Sequence, residues 1–279
     1  MRDNEKGSYK IKNIHKQTQK EVDLMNYFQP YGGGVDSKAL KIIMLNLDNF
    51  DTPDYMNNPT ESVFCNPGSE MQGTVEDIHL MNKKGWNIRI LKPNVKGFDN
   101  IYDYYFDQKL VPMFKYRSCT DKFKHIPQRR YYKQFEPYTL FIGYDYTEMK
   151  RIPKPKYKNG KLVKKLKHEY YKYPLVDMRI SRRTCKKIIA EYGETVPVKS
   201  GCFFCIYQSP ESWYALMRDY SDLFWKAVAL EENCEKMNLV QKGTLRSMYP
   251  PPQTFQEVDM GCRQCMFGLV PEVKMEDQE

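Results

Sequence analysis

The stretch Tyr31–Leu40, YGGGVDSKAL, sets three glycines, an acid and a hydroxyl directly before an apolar helical pattern. Upstream, Asn26–Tyr31 reads as a strand, weakened by Pro30. Downstream, Asp36–Leu47 reads as a helix with Ala39, Leu40, Ile43 and Leu47 on one face. Strand, bare backbone and helix start together make an anion-binding arrangement. Gly32, Gly33 and Gly34 let backbone amides approach a phosphate, the helix N-terminus adds free N–H groups, and the Ser37 hydroxyl donates at the same spot. Neither GxxxxGK[ST] nor GxGxxG is present.

Strand and helix signals alternate outward from this loop. Ser62–Cys65 reads as a strand, Thr74–Lys84 as a helix ended by Gly85, and Asn87–Leu91 and Tyr138–Gly143 as strands. An α/β fold with an open, mostly parallel sheet flanked by helices follows. Asn159-Gly160 marks a hairpin turn. Ser181 caps a helix running to Tyr192, which Gly193 closes, and Trp213–Met217 and Leu223–Met237 read as further helices. Three parts are expected. Residues 1–22 form a basic extension, 23–180 a nucleotide-binding α/β domain, and 181–279 a helical, cysteine-rich region.

The chain has 279 residues, 41% hydrophobic and 14% aromatic, with net charge +9. That composition excludes a disordered chain. No apolar run reaches membrane-spanning length and no apolar leader core opens the chain, so a cytoplasmic protein with no membrane partner is expected. Lys150 to His168 carries nine Lys/Arg and no acid. This stretch suits a polyanion, whether nucleic acid or nucleotide phosphates, and a solvated loop equally.

Eight cysteines are present. Without an export signal, clustered cysteines read as metal ligands or redox groups. Cys202/Cys205 and Cys262/Cys265 are two C-x2-C pairs separated by 56 residues, which can close one tetrahedral thiolate site. A structural zinc is the plain reading, and soft thiolates suit iron–sulfur clusters as well.

Gly32–Ser37 resembles the SGGxDS loop of the PP-loop ATP pyrophosphatases, with Gly32 where that superfamily has serine. Further segments, in order, resemble its phosphoadenylyl-sulfate reductase branch. Val63–Thr74 resembles VFxDTGxExPET through Gly68 and Glu70, with Asn66 replacing the acid. Tyr116–Pro127 resembles RxCxxxxKxxP through Arg117, Cys119, Lys124 and Pro127. Ile142–Arg151 resembles GxRxxES, and YPLVDM followed by KSGCFFC resembles small phage and prokaryotic members. The resemblance spans about residues 31–213.

This resemblance implies the adenine nucleotide alpha hydrolase-like fold and an enzyme binding ATP or an adenylyl sulfate, with Mg as a further candidate. Gly32, Gly33, Gly34, Asp36, Ser37, Gly68, Arg117 and Gly143 would bind the nucleotide. Asp36, Lys124 and Arg151 would carry the chemistry. Cys119, separated from Cys202 by 82 residues, resembles in spacing the cluster signature of iron–sulfur adenylyl-sulfate reductases, although Thr120 replaces their second adjacent cysteine. A four-iron, four-sulfur cluster is therefore expected over zinc, with Cys262 or Cys265 supplying a fourth ligand. The mobile catalytic tail of those reductases is missing. Two activities remain open, sulfonucleotide reduction and adenylation-dependent sulfur transfer to nucleic acid. The alternative is a non-catalytic nucleic-acid-binding protein with a degraded nucleotide fold and a structural zinc.

Overall fold

A computed structural model describes residues 25–58, 60–153, 156–158, 161–164, 171–234, 237–240 and 243–248. Of residues 156–158 and 161–164 only the backbone course is described. Cys262 and Cys265, the extension 1–22 and most of the basic stretch lie outside the described side chains.

Five strands form one all-parallel sheet. They are β1 (Asn26–Pro30), β2 (Thr60–Cys65), β3 (Ile88–Leu91), β4 (Tyr138–Phe141) and β7 (Tyr171–Lys172), in the order β3-β2-β1-β4-β7. Between β4 and β7 the chain makes an antiparallel hairpin, β5 (Lys156–Lys158) and β6 (Lys161–Lys164), around the Asn159-Gly160 signal. Pro30 ends β1, where a missing N–H costs no ladder bond. β2 and β4 are short buried runs, as strands covered on both faces require.

On one face lie α1 (Val35–Leu45) and, packed against it, a helix spanning Arg182–Glu191. Ala39, Leu40, Ile43, Cys185, Ile188 and Ile189 close that core. Ser181 caps the second helix, accepting from Thr184 N at 3.3 Å, and Gly193 follows its end at φ +69°. α2 (Gln72–Lys83) adds Ile78 and Met81 to the same core.

The opposite face is aromatic. Phe28, Val63, Leu140 and Tyr132 pack there beneath α4 (Ile126–Tyr132), which continues a helical turn at Ser118–Thr120 and a π turn at Asp121–His125. A separate core joins α3 (Ile101–Asp107) to the helices Pro210–Asp219 and Ser221–Glu232, with Trp213, Leu216, Phe224 and Phe204 inside it. Among the described residues no helix is long and apolar enough to cross a membrane.

Candidate functional site

The strand order reverses between β1 and β4. β2 and β3 follow β1 on one side, and β4 and β7 lie on the other. In open α/β sheets such a reversal leaves a crevice outside the carboxyl ends of the two strands. The glycine loop leaves β1 at this point and Gly143–Asp145 leaves β4 there.

Several buried bonds set the loop. Gln29 is fully buried on β1. Its Nε2 donates to the Ser37 carbonyl at 2.8 Å and its Oε1 accepts from Ser62 Oγ at 2.7 Å. Tyr31 N donates to the Val63 carbonyl at 2.8 Å. Lys38, with no exposed surface, binds Asp77 at 2.7 Å and the Thr195 carbonyl at 3.0 Å, so α1 is tied to α2 and to the segment before Ser200. Burial, then Asp77 and Glu194, pushes the Tyr31 phenol upward, and its hydroxyl has no hydrogen-bond partner.

The glycines differ in what they require. Gly33 sits at φ +70°, and a Cβ there would meet Thr74 Cγ2 at 2.6 Å. Gly34 is the extended residue before α1, and a Cβ there would touch Ser200 Oγ at 3.5 Å, an ordinary contact. A Cβ at Gly32 would meet Ser37 Oγ alone, at 4.0 Å, so no neighbour forbids a side chain at that position. Ser37 Oγ is turned back to the Gly34 carbonyl at 2.9 Å. Gly143 brings β4 against the start of α1, where a Cβ would lie 3.5 Å from Ser37 N and Cα.

Asp36, Asp145 and Glu148 converge beside this loop, with one oxygen of each within 4.8 Å of the others. Asp36 pairs with Arg182 through Oδ2 at 2.8 Å, while its buried Oδ1 has no partner. Burial raises the Asp36 carboxyl first, Arg182 lowers it, and Asp145 and Glu148 raise it again. Asp145 is buried and Oδ1 accepts from Thr147 N and Oγ1, each at 2.6 Å. Glu148 pairs with Arg151 at 2.6 Å, and the Arg151 guanidinium lies 4.3 Å from the Tyr144 ring centre. Hard oxygens around an unsatisfied buried carboxylate oxygen are the donors a Mg²⁺ ion takes. Sequence reading assigned Asp36 and Arg151 here. It did not name Asp145, Glu148 or Arg182 as site residues.

A second group lies across the loop after β2. Lys124, from the π turn, donates to Glu70 Oε2 at 2.7 Å. The Glu70 side chain has no exposed surface, and its Oε1 has no partner. The cysteine loop is pinned to this segment. Glu70 and Cys202 form an isolated bridge, Met71 N donates to the Gly201 carbonyl at 3.0 Å, and Phe203 N to the Ser69 carbonyl at 3.1 Å.

Burial pushes the Cys202 thiol well up, and Glu70 adds to it. Lys124 draws it down, and Cys205 and Cys119 raise it further. Burial also raises Cys205, with Cys119 again contributing. Cys119 and Cys202 pack against the same core, and Cys205 N donates to the Cys202 carbonyl at 3.0 Å. Among the described residues they are not drawn together as tightly as the three carboxylates.

Gly68 and Arg117 make contacts of their own. A Cβ at Gly68, φ +79°, would strike Asn100 Cα at 2.9 Å, so its bare backbone serves the packing of α3. Arg117, in the left-handed region at φ 44°, lays its guanidinium 4.9 Å from the Tyr207 ring centre. Compared with protein-family profiles and with curated proteins, the chain matches none.

Proposed function

We propose that the chain is a nucleotide-dependent enzyme resembling the phosphoadenylyl-sulfate reductase branch of the PP-loop enzymes. It binds ATP or an adenylyl sulfate and performs sulfur or redox chemistry. One observation carries the reading. The glycine loop and the Asp36/Asp145/Glu148 group meet outside the carboxyl ends of β1 and β4, where the strand order reverses.

In this reading the amides at the start of α1 and the turn at Gly33 hold phosphate, and the three carboxylates hold a Mg²⁺ ion on its oxygens. Arg182 and Arg151 take up anionic charge when the carboxylates turn to the metal. Cys119, Cys202 and Cys205 hold a four-iron cluster, with a fourth ligand outside the described residues. Lys124 beside these thiols offsets the charge of a thiolate-bound cluster.

Two activities share this site, and the favoured acceptor is nucleic acid. Arg182, Arg183, Lys186 and Lys187 are exposed along one helix whose Arg182 reaches Asp36. The basic stretch 150–168 leaves the loop carrying Glu148. Calorimetry of ATP with and without Mg²⁺, and of adenylyl sulfate, tests the nucleotide reading; no binding of either would sink it. Sulfite release from an adenylyl sulfate would identify the reductase instead. Zinc without iron after anaerobic purification would remove the cluster.

A further inference from the structure

A cavity of about 870 Å³ opens at the other end of the sheet, around the first residues of β1, β2 and β3. This volume lies in the range of small-molecule sites, and no residue of the crevice or of the cysteine group lines it. Lys41 reaches it from α1. The residue is 5% exposed, and its ammonium has no hydrogen-bond or ion-pair partner among the described residues.

Glu61 is the acid of the same cavity, and both of its oxygens are taken. Arg89 Nε donates to one and the Tyr131 hydroxyl to the other at 2.7 Å. The Arg89 guanidinium also lies 5.2 Å from the Tyr131 ring centre. Glu61 and Arg89 thus answer one another, and the Lys41 ammonium opens on the cavity with Glu61 near it but no hydrogen bond or ion pair of its own among the described residues. A cation that opens on a cavity can take a charge-assisted hydrogen bond from a ligand anion. Burial pushes the Lys41 amine below the ordinary lysine range, and Glu61 draws it partly back. Around it the walls are mixed, with the rings of Tyr27, Trp86 and Phe135 among polar residues such as Asn26, Thr60 and Asn87.

We propose that this cavity is a second binding site that takes a small aromatic carboxylate, its acid group on the Lys41 ammonium and its ring against those aromatic side chains. A single ammonium suits a monoanion. A phosphate dianion would set a second negative charge beside Glu61.

The test uses 8-anilino-1-naphthalenesulfonate, a fluorescent aromatic monoanion, titrated into the full chain. One saturable site per chain is expected, displaced by 1-naphthoate but neither by ATP nor by inorganic phosphate at matched ionic strength. Lys41→Met should weaken the probe at least ten-fold while leaving ATP affinity, measured separately by calorimetry, unchanged. Phe135→Ala, at the exposed rim, should weaken it several-fold with the fold intact. Unchanged probe affinity in Lys41→Met, displacement by ATP or phosphate, or no saturable binding to the parent chain would each overturn the proposal. Failure of the parent chain to bind ATP would count against the nucleotide reading alone.

Discussion

The crevice at the strand ends and the cysteine pocket beside it handle charge in opposite ways. In the crevice, Asp36 and Glu148 meet arginines whose side chains are 49% and 50% exposed. Solvent screens such pairs, so they add little to stability and their arginines can turn to a ligand. In the pocket, the Glu70 side chain has no exposed surface, and among the described residues its carboxylate bonds to Lys124 alone. There a charge has been taken inside, and losing its partner is expensive. The first region is free to exchange partners; the second is bound into the fold.

The largest expected effect breaks the pocket. Lys124→Met leaves the Glu70 carboxylate buried alone and should cost about 3–5 kcal/mol in urea unfolding. Glu70→Gln added to Lys124→Met should recover most of that loss. A cost below about 1 kcal/mol for Lys124→Met would erase the contrast.

Next comes the loop. Gly33→Ala forces a side chain into the left-handed region and against Thr74, for about 1–3 kcal/mol, whereas Gly34→Ala meets an ordinary contact. Thermal denaturation of the neighbouring variants should separate them clearly. Equal melting temperatures would show that the turn is not held by Thr74.

Asp36→Asn sharpens the crevice side. Its folded carboxyl lies above the ordinary 3.8, so the folded chain holds the proton more tightly than the unfolded chain. That contribution is favourable in acid and is lost as pH rises from about the ordinary value through the raised one. Asn removes the penalty, so the variant should gain on the order of 0.5 kcal/mol at neutral pH. The gain should vanish in acid, where the parent is protonated. Affinity for ATP in the presence of Mg²⁺ should fall at least ten-fold. A destabilised variant with a flat pH profile would mean that the Arg182 pair outweighs burial.

The smallest effect on stability is expected from Cys119→Ser, about 0.5 kcal/mol in the metal-free chain. Its metal content is the informative readout. Iron and sulfide should be lost after anaerobic preparation. Full retention of iron would remove Cys119 from the ligand set.

Much of the fold could be read from the chain because the decisive signals are local. The glycines before α1, the buried run of β2 and the Ser181 cap each act within a few residues. α3 and the helical run Ser118–Tyr132 could not be read this way. Their tyrosines, lysines and arginines give no clean apolar face; α3 is fixed by packing against Phe203, Phe204 and Phe123, and the run Ser118–Tyr132 by Phe123 in that core and Tyr132 beneath the sheet. The candidate site divides similarly. Asp36 announces itself next to the glycines, but Glu148 and Arg182 join it only through the contact of β4 and the Arg182–Glu191 helix with α1. The resemblance names Gly68 as a nucleotide-binding residue, while the neighbour that a Cβ there would strike is Asn100, 32 residues away.

The segment Ser200–Cys202 touches Gly34 at one end and Glu70 at the other. Three extended residues span about 10 Å, so the two regions share a single short lever. Occupants that shift this lever are bound by thermodynamic reciprocity. Whatever factor a thiol-bound metal imposes on nucleotide affinity, nucleotide must impose on metal affinity.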